Sequence, residues 1–446
     1  MAKLFDTSLR IDAAGPSGIP VVNNLRFLRH TAWFAMDRVH AGFPGPVVPL
    51  TKGNASIVLL RGEEGARRYF TDNDIFERLS DGIFSLPEGR PWSKMFDAVI
   101  TFNGDKHRRT RKLLMPIVHK SAMDHYATVF ARTFKRSKFA VSDGEPFDMA
   151  AEFLAITRAN LLVCLLGLDP DEENVELAEA VAQLLGPITN PMVFMFQRES
   201  GWTPYGRWTR DIAAIYDRLA LLIERKRVDE PRRDALSILC HTVDENGDRL
   251  STPEIAGELH ALFSAGFETT AMSMTWALLT ILGTPGLTVG NEQELDAVVR
   301  ESQRLIPTVP FSLPRRVVQD VEVGGTTIPK GALAFASPLL EQRDPGSFPD
   351  PATFRPERWT DAKVSPYAFL PFGVGARRCL GASFADLQIR TTLGLMAWPS
   401  LLTTEVDYVI RHGATAFPRK PILVRTGTHS PAPGPVTGTV RRLWAA

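Results

Sequence analysis

Of the three cysteines in this 446-residue chain, one sits among residues that would change its chemistry. Its surroundings read Pro371-Phe372-Gly373-Val374-Gly375-Ala376-Arg377-Arg378-Cys379-Leu380-Gly381-Ala382. Gly373 and Gly375 allow backbone conformations closed to other residues and let the chain run close to a flat ligand. A helical pattern starts at Ala382 and continues to Leu395, which puts Cys379 at a helix N-terminus. Unpaired N–H groups and the helix dipole there favour a thiolate, the nucleophilic and metal-ligating form. A cysteine picked at random is most often buried packing, so the loop has to carry the argument. Cys164 and Cys240 lie far away, and an odd number of scattered cysteines speaks against a disulfide framework and a zinc cluster.

Other strings carry chemistry too. Ala265-Gly266-Phe267-Glu268-Thr269-Thr270 places a carboxylate and two hydroxyls inside a helix, although Gly and Thr lower helix propensity. A Thr hydroxyl there can compete for the carbonyl four residues back and open the ladder into a polar notch. Glu301-Ser302-Gln303-Arg304 sets a carboxylate and a guanidinium three apart on one helix face, a pairing common on solvated helices. The densest basic run, Gly104 to Lys112, is too narrow for a nucleic-acid surface. With 51 basic and 50 acidic side chains, the net charge of +1 gives no global field that would gather nucleic acid or anionic lipid.

Taken in order, these strings resemble the cytochrome P450 family. Phe372, Gly375, Arg377, Cys379 and Gly381 fill every fixed position of its haem-binding loop, F-x-x-G-x-R-x-C-x-G. The resemblance implies that Cys379 ligates the iron of haem b as thiolate, that Phe372 packs on the ligand side and that Arg377 reaches a propionate. A thiolate donates the electron density that favours O–O cleavage. Ala265 to Thr270 matches the oxygen-activation motif, in which Gly266 leaves room for dioxygen and Glu268 with Thr269 forms the proton-delivering acid-alcohol pair. His107 and Arg111 match a G-x-x-H-x-x-x-R pattern that meets the propionates, and Arg315, next to Arg316, resembles a third such contact. Glu301 and Arg304 match E-x-x-R, and Phe354-Arg355-Pro356-Glu357-Arg358-Trp359 resembles the motif whose arginine completes a buried cluster with them. Glu301, Arg304 and Arg358 are therefore assigned to structure, not catalysis. Gln388 stands where many members carry Glu, which touches packing in the following helix and leaves ligation unaffected.

The elements that must hold these groups are legible as well. Apolar residues recur at three and four spacing through Phe147 to Leu168, Asn174 to Leu185, Asp211 to Ile223 and Glu254 to Leu282. Strand-like runs appear at Val47 to Leu50 and Ser56 to Leu60, separated by Lys52-Gly53-Asn54, and return around Val317 to Ile328. Ser251-Thr252-Pro253-Glu254 opens the longest helix with either a Ser cap and Glu at the third position or a Thr cap and Pro at the first. That helix closes at Gly283 and, at about 30 residues, spans roughly 45 Å. It must cross most of a domain whose radius of gyration is about 22 Å.

The expected fold is mainly α with small β-sheets: one compact cytochrome P450 domain over residues 40–425, an N-terminal segment 1–39 and a flexible tail 426–446. Length alone would suggest two or three domains; the family resemblance overrides that. Lys3, Asp6, Arg10, Asp12, Arg26 and Arg29 interrupt any apolar anchor in the first forty residues, so a cytoplasmic protein without a membrane anchor is expected.

The implied activity is insertion of one oxygen atom from dioxygen into a small apolar organic substrate of terpenoid, steroid, polyketide or fatty acyl class. Electrons would come from NAD(P)H through a reductase and a ferredoxin or flavodoxin. Segments Phe84 to Val99, Gly186 to Trp208, Val309 to Leu313 and Ala414 to Phe417 are the expected pocket lining. A peroxide-driven peroxygenase and a haem-dependent sensor are the alternatives. The pair Glu268-Thr269 speaks against the first; no signalling or DNA-binding module supports the second.

Overall fold

The structure, a computed structural model, describes residues 45–50, 57–79, 91–141, 144–184, 193, 198–361, 363–411, 415–427 and 435–444. Strands β1 (Val47–Pro49) and β2 (Ile57–Leu60) form the expected antiparallel hairpin, with Val47 opposite Leu60. Helix α1 (Gly62–Thr71) and strand β3 (Phe76–Arg78) follow. The helical body begins with α2 (Gly104–Leu114), α3 (Lys120–Phe134), β4 (Phe147–Asp148) and α4 (Met149–Leu161), which runs into a π-helical turn over Leu162–Leu166. It continues through α5 (Glu172–Gln183), α6 (Pro204–Val228), α7 (Ala235–His241), α8 (Thr252–Leu282) and α9 (Glu292–Leu305). Strands β5 (Arg315–Val317), β6 (Val321–Val323), β7 (Thr326–Ile328) and β8 (Leu333–Ala336) come next, then α10 (Ala382–Gly394). Strands β9 (Ser400–Leu401), β10 (Tyr408–Arg411), β11 (Thr415–Pro418) and β12 (Leu423–Arg425) complete the set. The largest sheet has the order β1-β2-β8-β5-β3, in which only β2 and β8 run parallel.

Helix α8 is the expected long element, 31 residues and therefore about 46 Å. Its start resolves the open choice of cap: Ser251 is the N-cap, and a capping box joins its backbone N–H to Glu254 at 2.8 Å. Helix α6 starts seven residues before the expected Asp211, because Thr203 caps it and accepts from the Gly206 N–H at 3.0 Å. Gln388, on α10, is fully buried and donates to the Thr157 hydroxyl of α4 at 3.0 Å, so the departure from Glu is absorbed in helix packing. The stretch Met149–Leu166 is apolar enough by length and composition to cross a membrane, and most of it is buried inside the protein.

The expectation of a flexible tail needs correction in its second half. Val436, Val440, Leu443 and Trp444 are all buried in the core that holds the C-terminal half of α8. A Cβ on Gly283 would come within 2.6 Å of both the Trp444 ring and Val436. That glycine has φ −92°, so its conformation is open to any residue and what it provides is room for the indole. Arg343 donates to the Leu443 carbonyl at 2.9 Å and fixes the segment further. The Pro, Gly and Thr content that suggested mobility hides four apolar anchors. Trp444→Ala should cost about 3–5 kcal/mol through lost burial and a residual cavity. The measurement is the denaturant midpoint of the holoprotein, and an unchanged midpoint would show that the segment lies outside the cooperative core.

Candidate active site

Helix α8 is buried in two different cores on either side of a short gap. Ile255, Ala256, Leu259 and Phe263 belong to one core and Ala271 to Leu279 to the other. Between them Ala265 is exposed, and Gly266, Phe267, Glu268 and Thr269 are half-exposed. The sequence-selected motif therefore falls where, among the described residues, one face of the central helix has no packing partner. Thr269 Oγ1 donates to the Ala265 carbonyl at 2.5 Å, as expected of a mid-helix threonine. The helix continues unbroken through this turn, so the hydroxyl adds to the ladder without opening it. A Cβ on Gly266 would meet Leu161 of α4 at 3.4 Å, an ordinary van der Waals contact, so α4 flanks this side of the helix while Ala265 faces outward.

The cysteine loop is shaped by its glycines. Gly373 and Gly375 have φ of 63° and 76°, and a Cβ on Gly375 would press to 3.0 Å on the Phe70 carbonyl of α1. The Cys379 N–H donates to the Phe372 carbonyl at 2.9 Å and closes the loop. The Phe372 ring lies 6.0 Å from the Arg378 guanidinium. Cys379 is exposed and directly precedes α10, whereas Cys164 and Cys240 are buried. Desolvation by the surrounding chain raises the Cys379 thiol, while a hydrogen bond from the Gly381 backbone and the charges of Arg378 and Arg111 pull it back toward thiolate. Burial pushes Cys240 up to about 11 and raises Cys164.

A nest of cations forms beside this loop. His107 and Arg111 come from α2, Arg377 from the loop, and Arg315 from β5, directly opposite Arg78 of β3. Burial, then Arg377, Arg111, Arg78 and Arg315 in that order, pushes His107 down to about 4. Arg315 is fully buried, donates to the Tyr69 carbonyl at 2.7 Å and stacks over the Tyr69 ring at 4.4 Å. Among the described residues its Nε and Nη2 groups have no partner, and neither has Arg78 Nε. Arg377 donates to Asn103 Oδ1 at 2.8 Å, and Arg111 to the Arg378 carbonyl at 2.8 Å. Like charges gathered with orphaned N–H groups fit a multivalent anion, and the two carboxylates of a haem would supply the missing acceptors.

Arg78 and Asn103 escaped the sequence reading. Arg78 joins the nest only through the pairing of β3 with β5, for which no local string exists. Asn103 sits at the N-cap of α2, yet its side chain bonds Arg377 and both backbone groups of Arg78 instead of the helix. Of the expected pocket lining, Met95, Ala98, Tyr205, Trp208 and Phe417 are buried among other core side chains. Leu313 remains 40% exposed and Phe311 half-exposed, which leaves them available to a ligand. Residues 84–90, 186–192, 194–197 and 414 of those segments lie outside the described residues.

Behind the loop, Glu301, Arg304 and Arg358 meet as the sequence suggested. Arg304 grips the Glu301 carboxylate through Nε at 3.0 Å and Nη2 at 2.8 Å, and Arg358 Nε reaches it at 3.0 Å. The Trp359 indole and the Arg355 backbone N–H complete five donors to one carboxylate. Arg304 in turn caps the carbonyls of Gln342, Pro351 and Thr353, so the cluster pins the chain that leads into the cysteine loop.

A mainly helical unit with a long central helix, an exposed cysteine loop and an unsatisfied cation nest defines a protein built around a flat, acidic prosthetic group. Residues 13–294 and 293–396 match the family model for cytochrome P450, and the chain belongs to that family. Cytochrome P450 138 of Mycobacterium tuberculosis is 29% identical over 323 residues, 68% of this chain and 71% of the relative. Cytochrome P450 137 of the same organism is 28% identical over 337 residues, 72% of this chain and 71% of the relative. Two solved structures share the fold. Cyanobacterial CYP120A1 with bound retinoic acid has a TM-score of 0.74 at 23% identity, covering 90% of this chain and 95% of that one. P450BioI in complex with acyl carrier protein ligated to hexadec-9Z-enoic acid has a TM-score of 0.73 at 20% identity, covering 90% and 99%. The protein is accordingly a haem b-dependent monooxygenase.

Two outcomes follow from this geometry. The reduced carbon monoxide complex of the wild type should show the red-shifted Soret band of thiolate ligation; Cys379→Ala should lose it and Cys164→Ala should keep it. Stranding Arg304 and Arg358 by Glu301→Ala should cost about 3–5 kcal/mol. Haem content and melting temperature of the purified variant measure that loss, and wild-type values for both would remove the structural role.

Proposed function

We propose that the protein inserts one oxygen atom from dioxygen into a C–H or C=C bond of an apolar organic substrate. Electrons come from NAD(P)H through a separate reductase and a ferredoxin or flavodoxin. The observation that carries this reading is the unpacked gap on α8, where the Thr269 hydroxyl lies 2.5 Å from the Ala265 carbonyl with Glu268 on the same turn. Bound to Cys379, a haem supplies the electron-rich centre at which the O–O bond is cleaved.

Each residue has a defined task. Thr269 spends its single hydroxyl proton on Ala265, so Oγ1 is left as an acceptor that can hold a water in a fixed orientation. Glu268 takes protons from solvent and passes them toward that water. Arg78, His107, Arg111, Arg315 and Arg377 hold the ring carboxylates and fix its tilt. The groove behind the cysteine loop carries Arg300, Arg378 and Arg390 beside Asp296 and Asp386, a mixed surface for an electron donor with matching charges.

Phe311 and Leu313 present apolar surface, consistent with a terpenoid, steroid, polyketide or fatty acyl ligand. The ligands named for the two structural neighbours, retinoic acid and hexadec-9Z-enoic acid, are long apolar acids and head the list of compounds to screen for a spin-state change of the haem. In the Thr269→Ala enzyme, substrate binding and NAD(P)H oxidation should persist while product per NAD(P)H falls and hydrogen peroxide rises. Glu268→Gln should slow turnover by about 10²–10⁴ with little change in affinity. Product, peroxide and NAD(P)H measured together decide the matter: unchanged coupling in a well-folded Thr269→Ala enzyme would remove Thr269 from proton delivery and reopen the peroxygenase alternative.

A further inference from the structure

One turn beyond Thr269, Ser273 lies on the same stripe of α8 and is half-buried. Its Oγ donates to the Thr269 carbonyl at 2.9 Å and sits 3.0 Å from Thr308 Oγ1. A carbonyl cannot donate, so the single Ser273 proton is spent on Thr269, and the hydrogen between the two hydroxyls comes from Thr308. Thr308 thus donates to Ser273 and Ser273 to the Thr269 carbonyl, a two-bond chain that ends on the backbone of the residue whose own hydroxyl bonds the Ala265 carbonyl. Two bonds arranged head to tail polarise each other, so the pair is stronger than its members taken singly.

The far end of this chain is itself anchored. The Thr308 carbonyl accepts the Ala416 N–H of β11 at 2.8 Å, and the Pro307 carbonyl accepts the Tyr408 hydroxyl of β10 at 2.7 Å. Pro310 is held through its carbonyl by the Ser337 hydroxyl at 2.8 Å. Prolines at 307, 310 and 314 restrict the backbone between them. A serine bonded to the carbonyl four residues back is common in helices, and that contact alone would mean nothing. What sets Ser273 apart is the second contact, to a fixed segment 35 residues away that also carries Phe311 and Leu313.

We infer that Ser273 is a positioning residue: through Thr308 it sets the placement of the α8 turn that carries Thr269, and with it the geometry of proton delivery. The inference rests on the proposed role of Thr269. It is tested on substrate-free holoprotein by two readouts, the C–O stretching band of the reduced carbon monoxide form and the autoxidation rate of the reduced protein in air. Ser273→Ala and Thr308→Val should each shift and broaden the band and raise the autoxidation rate roughly 2- to 10-fold, the size of one lost hydrogen bond. The double variant should be no worse than either single one, and Ser273→Thr should restore both readouts. A lower melting temperature with band and rate at wild-type values would reduce Ser273 to packing and overturn the inference. An effect of Ser273→Ala that Thr308→Val does not share would overturn it equally. If Ser273→Ala fails to hold haem, Thr308→Val, which leaves α8 unaltered, carries the comparison. Thr269→Ala is measured in parallel: if it moves neither readout, the role of Thr269 itself fails, whereas an effect there without one at Ser273 sinks this inference alone.

Discussion

A helix of 31 residues cannot cross a protein interior without burying almost its whole circumference. Helix α8 meets that demand by belonging to two cores at once, with its N-terminal half packed among α2, α4, α6 and α7 and its C-terminal half among β-strands and α9. Between the cores, among the described residues, one face is left without packing partners, and Glu268 and Thr269 sit there because a polar side chain costs least where it is not sealed in an apolar core. Site and scaffold are thus one feature viewed from two sides.

The remaining polar machinery follows a different rule from the gap. Glu301 receives five donors and lies fully buried, so its charge is compensated several times over within the chain. The arginine nest is the reverse, with cations pressed together and buried N–H groups left over. A closed cluster stabilises a fold, and an open one is completed by a ligand. The same residue type, arginine, serves both ends, and only the partner count separates them.

Much of this was legible in the sequence wherever the information was local. The cysteine loop, the start of α8, the β1–β2 hairpin and the E-x-x-R pair each lie within a short stretch of chain, so they could be read as strings, the loop and the pair with the help of the family resemblance. Features made by distant pairing were opaque. Arg78 reaches the nest across a sheet, and Asn103 turns away from the helix it precedes. Composition misled at the C-terminal tail. Proline and glycine marked the tail as mobile, though Val436, Val440, Leu443 and Trp444 outweigh them.

The meeting of Gly283 with Trp444 also bears on how the chain is made. Gly283 leaves the ribosome long before Trp444 does, because roughly a third of the sequence separates them. Throughout that interval the C-terminal half of α8 lacks part of its apolar cover, a surface that invites chaperones or misassembly. Loops of this length add little to the equilibrium cost of closure, since the entropy grows only with the logarithm of their length. They weigh on kinetics, where non-local contacts slow the search. Maturation of this protein is therefore timed by synthesis of its distal segment, and the core around α8 closes only after translation has passed it.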